Sequence, residues 1–341
     1  MSAACDAVVR GWLVVAAWVG LGRSTPQRLL RIGRPGRFVR AAIASSGRLV
    51  ALAIALLPCK RRGEARIAFL SCKALAGVED PDVATASAQI TAAVAYLTGE
   101  SHSAPSGRAG SPDRLEAVLA ARLATLRAAL KQLPGDAQRR CCAVIERIGD
   151  GLIHARAERR LGVDHVFGQA VLAAARFAVP WMRAPVFACN AAGRAIQLAG
   201  ALQRAATDDT RDMLLYQALQ ELPTVPRLLH WLPATVDAGT RAAATLLAVS
   251  TYRFYLQHIT AEASRAAPSR GLRHPLRTAL AAARSRRGYL AAITAIEDSF
   301  HDSLDALARR EGGSRHAPNA LLAATLAQAP GSQAPSAATW N

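Results

Sequence analysis

Two short acidic runs are the residues best suited to chemistry. One is Asp208-Asp209-Thr210-Arg211-Asp212, and the other is the pair Glu79-Asp80. On a helix Asp208 and Asp212 share one face, because they stand four residues apart. Carboxylates on two helices far apart in sequence are what a two-sided metal site requires. The same aspartates would also serve as an acidic helix start, stabilised by the helix dipole or paired with Arg211. A third cluster, Glu297-Asp298 with His301-Asp302, has the spacing of a metal cluster but fits an exposed helix face better. No nucleophile elbow, Walker-type phosphate loop or dinucleotide-binding glycine pattern stands in a suitable context. Hydrolases and dinucleotide enzymes are therefore disfavoured.

Cations are plentiful. The chain has 341 residues and a formal net charge of +18, carried almost wholly by arginine, since Lys60, Lys73 and Lys131 are its lysines. Such a balance suits nucleic acid, an anionic membrane surface or a phosphorylated substrate. No zinc finger, RNA-recognition signature or basic-helix-plus-zipper pattern supports nucleic acid. A diphosphate would need only a few arginines, because the guanidinium fork fits phosphate oxygens. The six cysteines form no CxxC pair and have no histidine at zinc spacing, so reduced thiols in a cytoplasmic protein are expected.

These groups must be positioned by helices. Hydrophobic residues make up 51% and aromatics 5%, strong helix formers prevail and β-branched runs are scarce. Periodicity and breakers predict helices at about 48–57, 64–80, 82–97, 113–133, 136–161, 164–179, 184–221, 235–265 and 274–310. Residues 99–112 read as a loop, and 222–233, with three prolines, as a turn-rich connection. The organisation expected is a basic and apolar extension at 1–42, one helical domain at 43–311 and a disordered tail at 312–341. The apolar stretch Gly11–Gly22 is too short to span a bilayer. With Arg10 before it and Arg23, Arg28, Arg31, Arg34, Arg37 and Arg40 behind, it suits a peripheral membrane contact, or a packed or disordered extension.

Three stretches in order resemble the squalene and phytoene synthases, which join prenyl diphosphates head to head. Ser45-Ser46-Gly47-Arg48 followed by the apolar run to Leu57-Pro58 resembles that family's opening, a Ser-Arg-Ser-Phe-like element leading a helix that ends in Leu-Pro. Ala68 to Asp80, AFLSCKALAGVED, is similar to its first aspartate-rich helix. Gly193 to Asp208, GRAIQLAGALQRAATD, is similar to its second, in which Gln197 matches directly. Phe167-Gly168-Gln169-Ala170 stands where the family has an aromatic followed by Ala-Gly-x-Val-Gly. The resemblance covers about 45–265 and implies an all-α bundle of the isoprenoid synthase type.

What the resemblance implies for function is specific. Mg²⁺ would be held by Glu79, Asp80, Asp208, Asp209 and Asp212, neutralising a diphosphate as it leaves and a carbocation forms. Glu79, Asp80, Asp208 and Asp212 would be the catalytic carboxylates. Arg48, Lys73 and Arg204 would grip phosphate, with Gln197 and Phe167 lining the substrate, of farnesyl or geranylgeranyl class. Departures are equally specific. The first aspartate of the first motif is Ala76, and the expected Asn, Arg and Asp of the second are Gly200, Gln203 and Arg204. Arg204 could clamp diphosphate directly, or the site could have moved one turn to Asp208–Asp212, which reads DDxxD, the magnesium motif of other class I prenyl-processing enzymes. The alternative is a catalytically inactive relative that serves as partner subunit, assembly factor or isoprenoid binder.

Overall fold

The computed structural model describes residues 3–78, 82–105, 113–157, 208–232, 236–260 and 272–311, with Gly193, Ala195, Leu198 and Leu202. All the regular structure among them is helical. The helices are α1 (Ala3–Val19), α2 (Pro26–Leu30), α3 (Pro35–Ser45), α4 (Arg48–Leu56), α5 (Cys59–Ala76), α6 (Val83–Thr98) and α7 (Leu115–Ala121). There follow α8 (Leu123–Leu130), α9 (Gly135–Ala157), α10 (Asp208–Glu221), α11 (Thr224–His230), α12 (Ala238–Thr260), α13 (Arg273–Arg284) and α14 (Arg286–Glu311).

The opening motif becomes a largely buried helix. Gly47 has a φ of 124°, a backbone state that side chains oppose, and it lets α4 begin almost as soon as α3 ends. Every residue from Ala51 to Leu56 is buried, so this part of α4 is enclosed on all sides, as its unbroken apolar run requires. It packs against α1, α3, α5 and α12. Leu57 is extended and Pro58 follows it, the restriction that proline places on its predecessor.

Three apolar clusters fill the bundle. One joins α2–α9, from Leu29 to Leu152; another joins Ala195 and Leu202 to α10–α14; the third seals α4 against α12, α13 and α1. Helix ends are stopped by recognisable chemistry. The Asp82 side chain accepts a hydrogen bond from the Thr85 N–H at 2.8 Å, and Asp237 accepts one from the Thr240 N–H at 2.9 Å. Gly99 ends α6 in the left-handed conformation.

Four boundaries differ from the sequence pattern. The helix expected over 64–80 begins earlier, at Cys59, and ends at Ala76, where the Gly77 N–H bonds back to Lys73 and Ala74. The segment 113–133 is not one helix, because Arg122 leaves the helical range and separates α7 from α8. Within 222–233 the chain forms α11, with Pro226 placed early enough that its missing N–H costs little. The segment 274–310 is not one helix either, because Ser285 is extended and separates α13 from α14. The segment 1–42, for which packing was one of the alternatives, is packed where it is described: Leu29, Phe38 and Ala42 are fully buried. The tail from 312 lies outside the described residues.

Candidate functional site

The last turn of α5 presents the cation that the sequence singled out. Lys73 Nζ lies 2.6 Å from Glu116 Oε1 in the first turn of α7, and both side chains are about one quarter exposed. The ammonium also stands 6.0 Å from the centre of the Phe69 ring. Burial pushes the Glu116 carboxyl up, but the hydrogen bond and charge of Lys73 outweigh burial and hold it below its ordinary value. The approach of the two helices depends on Gly77. A Cβ there would sit 2.7 Å from Glu116 Cβ and 2.8 Å from its carbonyl carbon and oxygen.

Deeper in α5, Ser71 is fully buried and its hydroxyl has no hydrogen-bond partner among the described residues. Cys72 beside it is buried, and burial pushes its thiol up to about 12. At the other end of the helix Glu64, 4% exposed, accepts a forked pair of bonds from Arg140 at 2.7 and 3.2 Å, with Arg61 at 3.5 Å. A buried carboxylate needs such partners. This network is structural and lies about two and a half turns from Lys73.

Some of the arginines are spent on carbonyls at helix ends. Arg62 donates to Leu57 O at 2.7 Å, Arg127 to Ser101 O at 2.9 Å and Arg241 to Val236 O at 2.6 Å. Arg122 donates to Leu30 O and Ile32 O while lying over the Phe38 ring. Net charge therefore overstates the cations open to a ligand. Arg48 is exposed at the start of α4.

The second acidic run falls on α10, which puts Asp208 and Asp212 four residues apart on one helix. Gly193, Ala195, Leu198 and Leu202, from the stretch leading to it, are helical, and Ala195 and Leu202 are buried. Tyr255 of α12 donates its hydroxyl to Ala195 O and so pins this stretch. Tyr252 and Tyr289 do the same for Leu222 O at 2.8 Å and Leu229 O at 2.5 Å. Burial pushes the Tyr289 phenol up, which keeps it a donor.

The other expected site residues are placed as follows. Glu79 and Asp80 come after the end of α5 and, with Phe167, Gln197 and Arg204, lie outside the described residues. So do the side chains of Asp208, Asp209 and Asp212. Glu297 pairs with His230 of α11 at 3.5 Å, so that cluster looks to a neighbouring helix. Among the described residues no three His, Cys, Asp or Glu side chains form a metal-binding group. Glu116 and the tyrosines were not marked by the sequence, since nothing local ties Glu116 to a lysine 43 positions earlier.

Two solved structures of squalene synthase (TcSQS), each in complex with a ligand, superpose on this fold with a TM-score of 0.61. The chain has the squalene synthase fold. Identity to these structures is 14% and 15%, and each match covers 86% of this chain and 96% of the other. No protein-family model and no curated protein matches the sequence.

Proposed function

We propose that the chain is a Mg²⁺-dependent isoprenoid enzyme that ionises a prenyl diphosphate, joining two of them head to head or cyclising one. The squalene synthase fold, extending over most of the chain, is the observation that supports this reading. The donor chemistry suits it too: Asp208, Asp209 and Asp212 stand within five residues of sequence on α10, and carboxylates are hard oxygen ligands of the type magnesium prefers. Bound there, Mg²⁺ would neutralise the diphosphate and promote its departure. Glu79 and Asp80 would supply the facing carboxylates. Lys73, Arg48 and Arg204 would receive phosphate oxygens, and Gln197 and Phe167 would line the hydrocarbon chain.

The test is incubation of the purified chain with farnesyl and geranylgeranyl diphosphates and Mg²⁺, followed by assay of released diphosphate and extraction of hydrocarbon products. Turnover that disappears in Asp208→Asn with Asp212→Asn supports the reading. No turnover with either substrate, together with no Mg²⁺-dependent thermal stabilisation by pyrophosphate, rejects it.

A second reading is favoured by the residues themselves. Ala76 and Gly200 offer no ligating side chain and Arg204 replaces an expected carboxylate with a cation, as in a relative that kept the bundle and lost the chemistry. Such a protein would act as a partner subunit, assembly factor or isoprenoid binder. Binding of a farnesyl diphosphate analogue without turnover identifies the binder.

A further inference from the structure

Helix α1 hides one side and leaves the other bare. Val14, Ala17 and Trp18 pack into the cluster that includes Leu52, Ala53 and Leu56 of α4. On the outer side Val8, Trp12, Val15 and Val19 are 73, 64, 59 and 62% exposed. Spacings of four, three and four residues place them in one stripe along the helix. Leu21, in the turn after the helix, is exposed as well. Single exposed apolar residues are ordinary, but a periodic run centred on a tryptophan is a contact surface.

The surrounding charge says what the contact is with. From residue 7 to residue 63 the chain has no acidic residue, yet it has Arg10, Arg23, Arg28, Arg31, Arg34, Arg37, Arg40, Arg48, Lys60, Arg61 and Arg62. Arg23, Arg28, Arg31, Arg34, Arg37 and Arg40 are all exposed. Ser45 Oγ at the end of α3 donates to Ser24 O and accepts from Ser24 N, both at 3.0 Å, which ties the segment that follows α1 to the end of α3. A second copy of the chain would bring a like-charged segment against this one. No helix among the described residues is long and apolar enough to cross a membrane. A short helix with an apolar outer face, followed by a run of arginines without acids, fits the surface of an anionic bilayer.

We propose that α1 lies in the plane of an anionic membrane surface, with Val8, Trp12, Val15, Val19 and Leu21 among the upper acyl chains and the arginines of 23–40 on lipid phosphates. Attachment holds the bundle at the surface without spanning it, and does not depend on whether the chain catalyses a reaction.

Co-sedimentation of the full chain with vesicles tests this. The wild type pellets with vesicles of phosphatidylcholine mixed with phosphatidylglycerol, and much less with phosphatidylcholine alone. Trp12→Glu with Val15→Glu replaces exposed side chains, so thermal unfolding is unchanged while vesicle affinity falls by about tenfold or more. Arg31→Ala and Arg34→Ala each weaken it about fivefold, and added salt weakens it further. The proposal is overturned if the wild type stays in solution with the anionic vesicles, or if the double glutamate variant pellets equally well. It is also overturned if the wild type is a dimer that those glutamates split, because the stripe is then a contact between copies.

Discussion

Lys73 and Glu116 form an ion pair at 2.6 Å between the end of α5 and the start of α7, on the turn just before Glu79 and Asp80. A phosphate reaching Lys73 must compete with a carboxylate already in place. Glu116→Gln removes that competitor while keeping the shape. The pair is only partly shielded from water, so the expected cost in stability is about 1 kcal/mol. If Lys73 takes phosphate, pyrophosphate with Mg²⁺ stabilises Glu116→Gln more than wild type in thermal unfolding. Equal shifts in the two proteins would remove Lys73 from the substrate-binding set.

The same pair sets an acid limit. Its carboxyl lies below the ordinary value in the folded chain, so the unfolded chain binds the proton first as pH drops. The contribution is complete above the unfolded glutamate value of about 4.3, and is lost as pH falls through the lowered folded value. Urea midpoints measured downward from pH 6 should fall more for wild type than for Glu116→Gln across that acid window.

Gly77→Ala should be costly where Gly36→Ala is not. At Gly77 the added methyl meets the Glu116 backbone at 2.8 Å, which cannot swing aside, whereas at Gly36 nothing stands within 4 Å. Overpacking of this kind costs about 1–3 kcal/mol. Gly36 sits in the first turn of α3, where alanine is the better helix former and adds up to about 1 kcal/mol. Denaturation midpoints that move in opposite directions would establish the close approach of α5 and α7; a neutral Gly77→Ala would disprove it.

The contrast between local and distant signals explains how much was legible in the sequence. The α4 run ending in Leu57-Pro58, the cap at Asp82 and the stop at Gly99 are short-range chemistry, and the helices they bound appear where the pattern places them. The all-α bundle of isoprenoid synthase type was legible because three motifs kept their order. Breaks made by tertiary contacts were not. Arg122 leaves the helix to reach carbonyls about 90 positions earlier, and no neighbour in sequence announces that. The end of α5 was misplaced because Ala76-Gly77-Val78 reads as helix until Glu116 is known to press on Gly77. The segment 1–42 reads as an extension because Pro26 and the turn Gly33-Arg34-Pro35-Gly36 interrupt its pattern, yet Leu29 and Phe38 are wholly enclosed. Of the candidate site, Lys73 could be named but its partner could not.

Cysteine labelling should follow burial. Burial pushes the thiols of Cys72 and Cys141 up to about 12, with the charge of Glu64 adding to the effect at Cys141. Since the thiolate is the reactive form, both should resist iodoacetamide in the folded chain at mildly alkaline pH. Of the four cysteines with described side chains, Cys59 is exposed and should label first, with half-buried Cys142 slower. Peptide mass spectrometry of native and urea-treated samples reads the order. Rapid native labelling of Cys72 would mean that the core of α5 is open to solvent.

Tyr255 gives access to the second acidic helix without touching its carboxylates. Its buried hydroxyl donates to Ala195 O, inside the stretch that leads to Asp208, and its ring meets Phe254 edge-on at 5.4 Å. Tyr255→Phe keeps the ring and deletes the donor, which costs about 1 kcal/mol where a hydrogen bond is lost in a core. If that stretch positions a metal site, Tyr255→Phe also weakens the thermal stabilisation given by Mg²⁺ with pyrophosphate, while Asp208→Asn with Asp212→Asn removes it at little cost to unliganded stability. The two variants thus separate support from ligation. A stabilisation by Mg²⁺ and pyrophosphate that is unchanged in both would place the diphosphate elsewhere in the bundle.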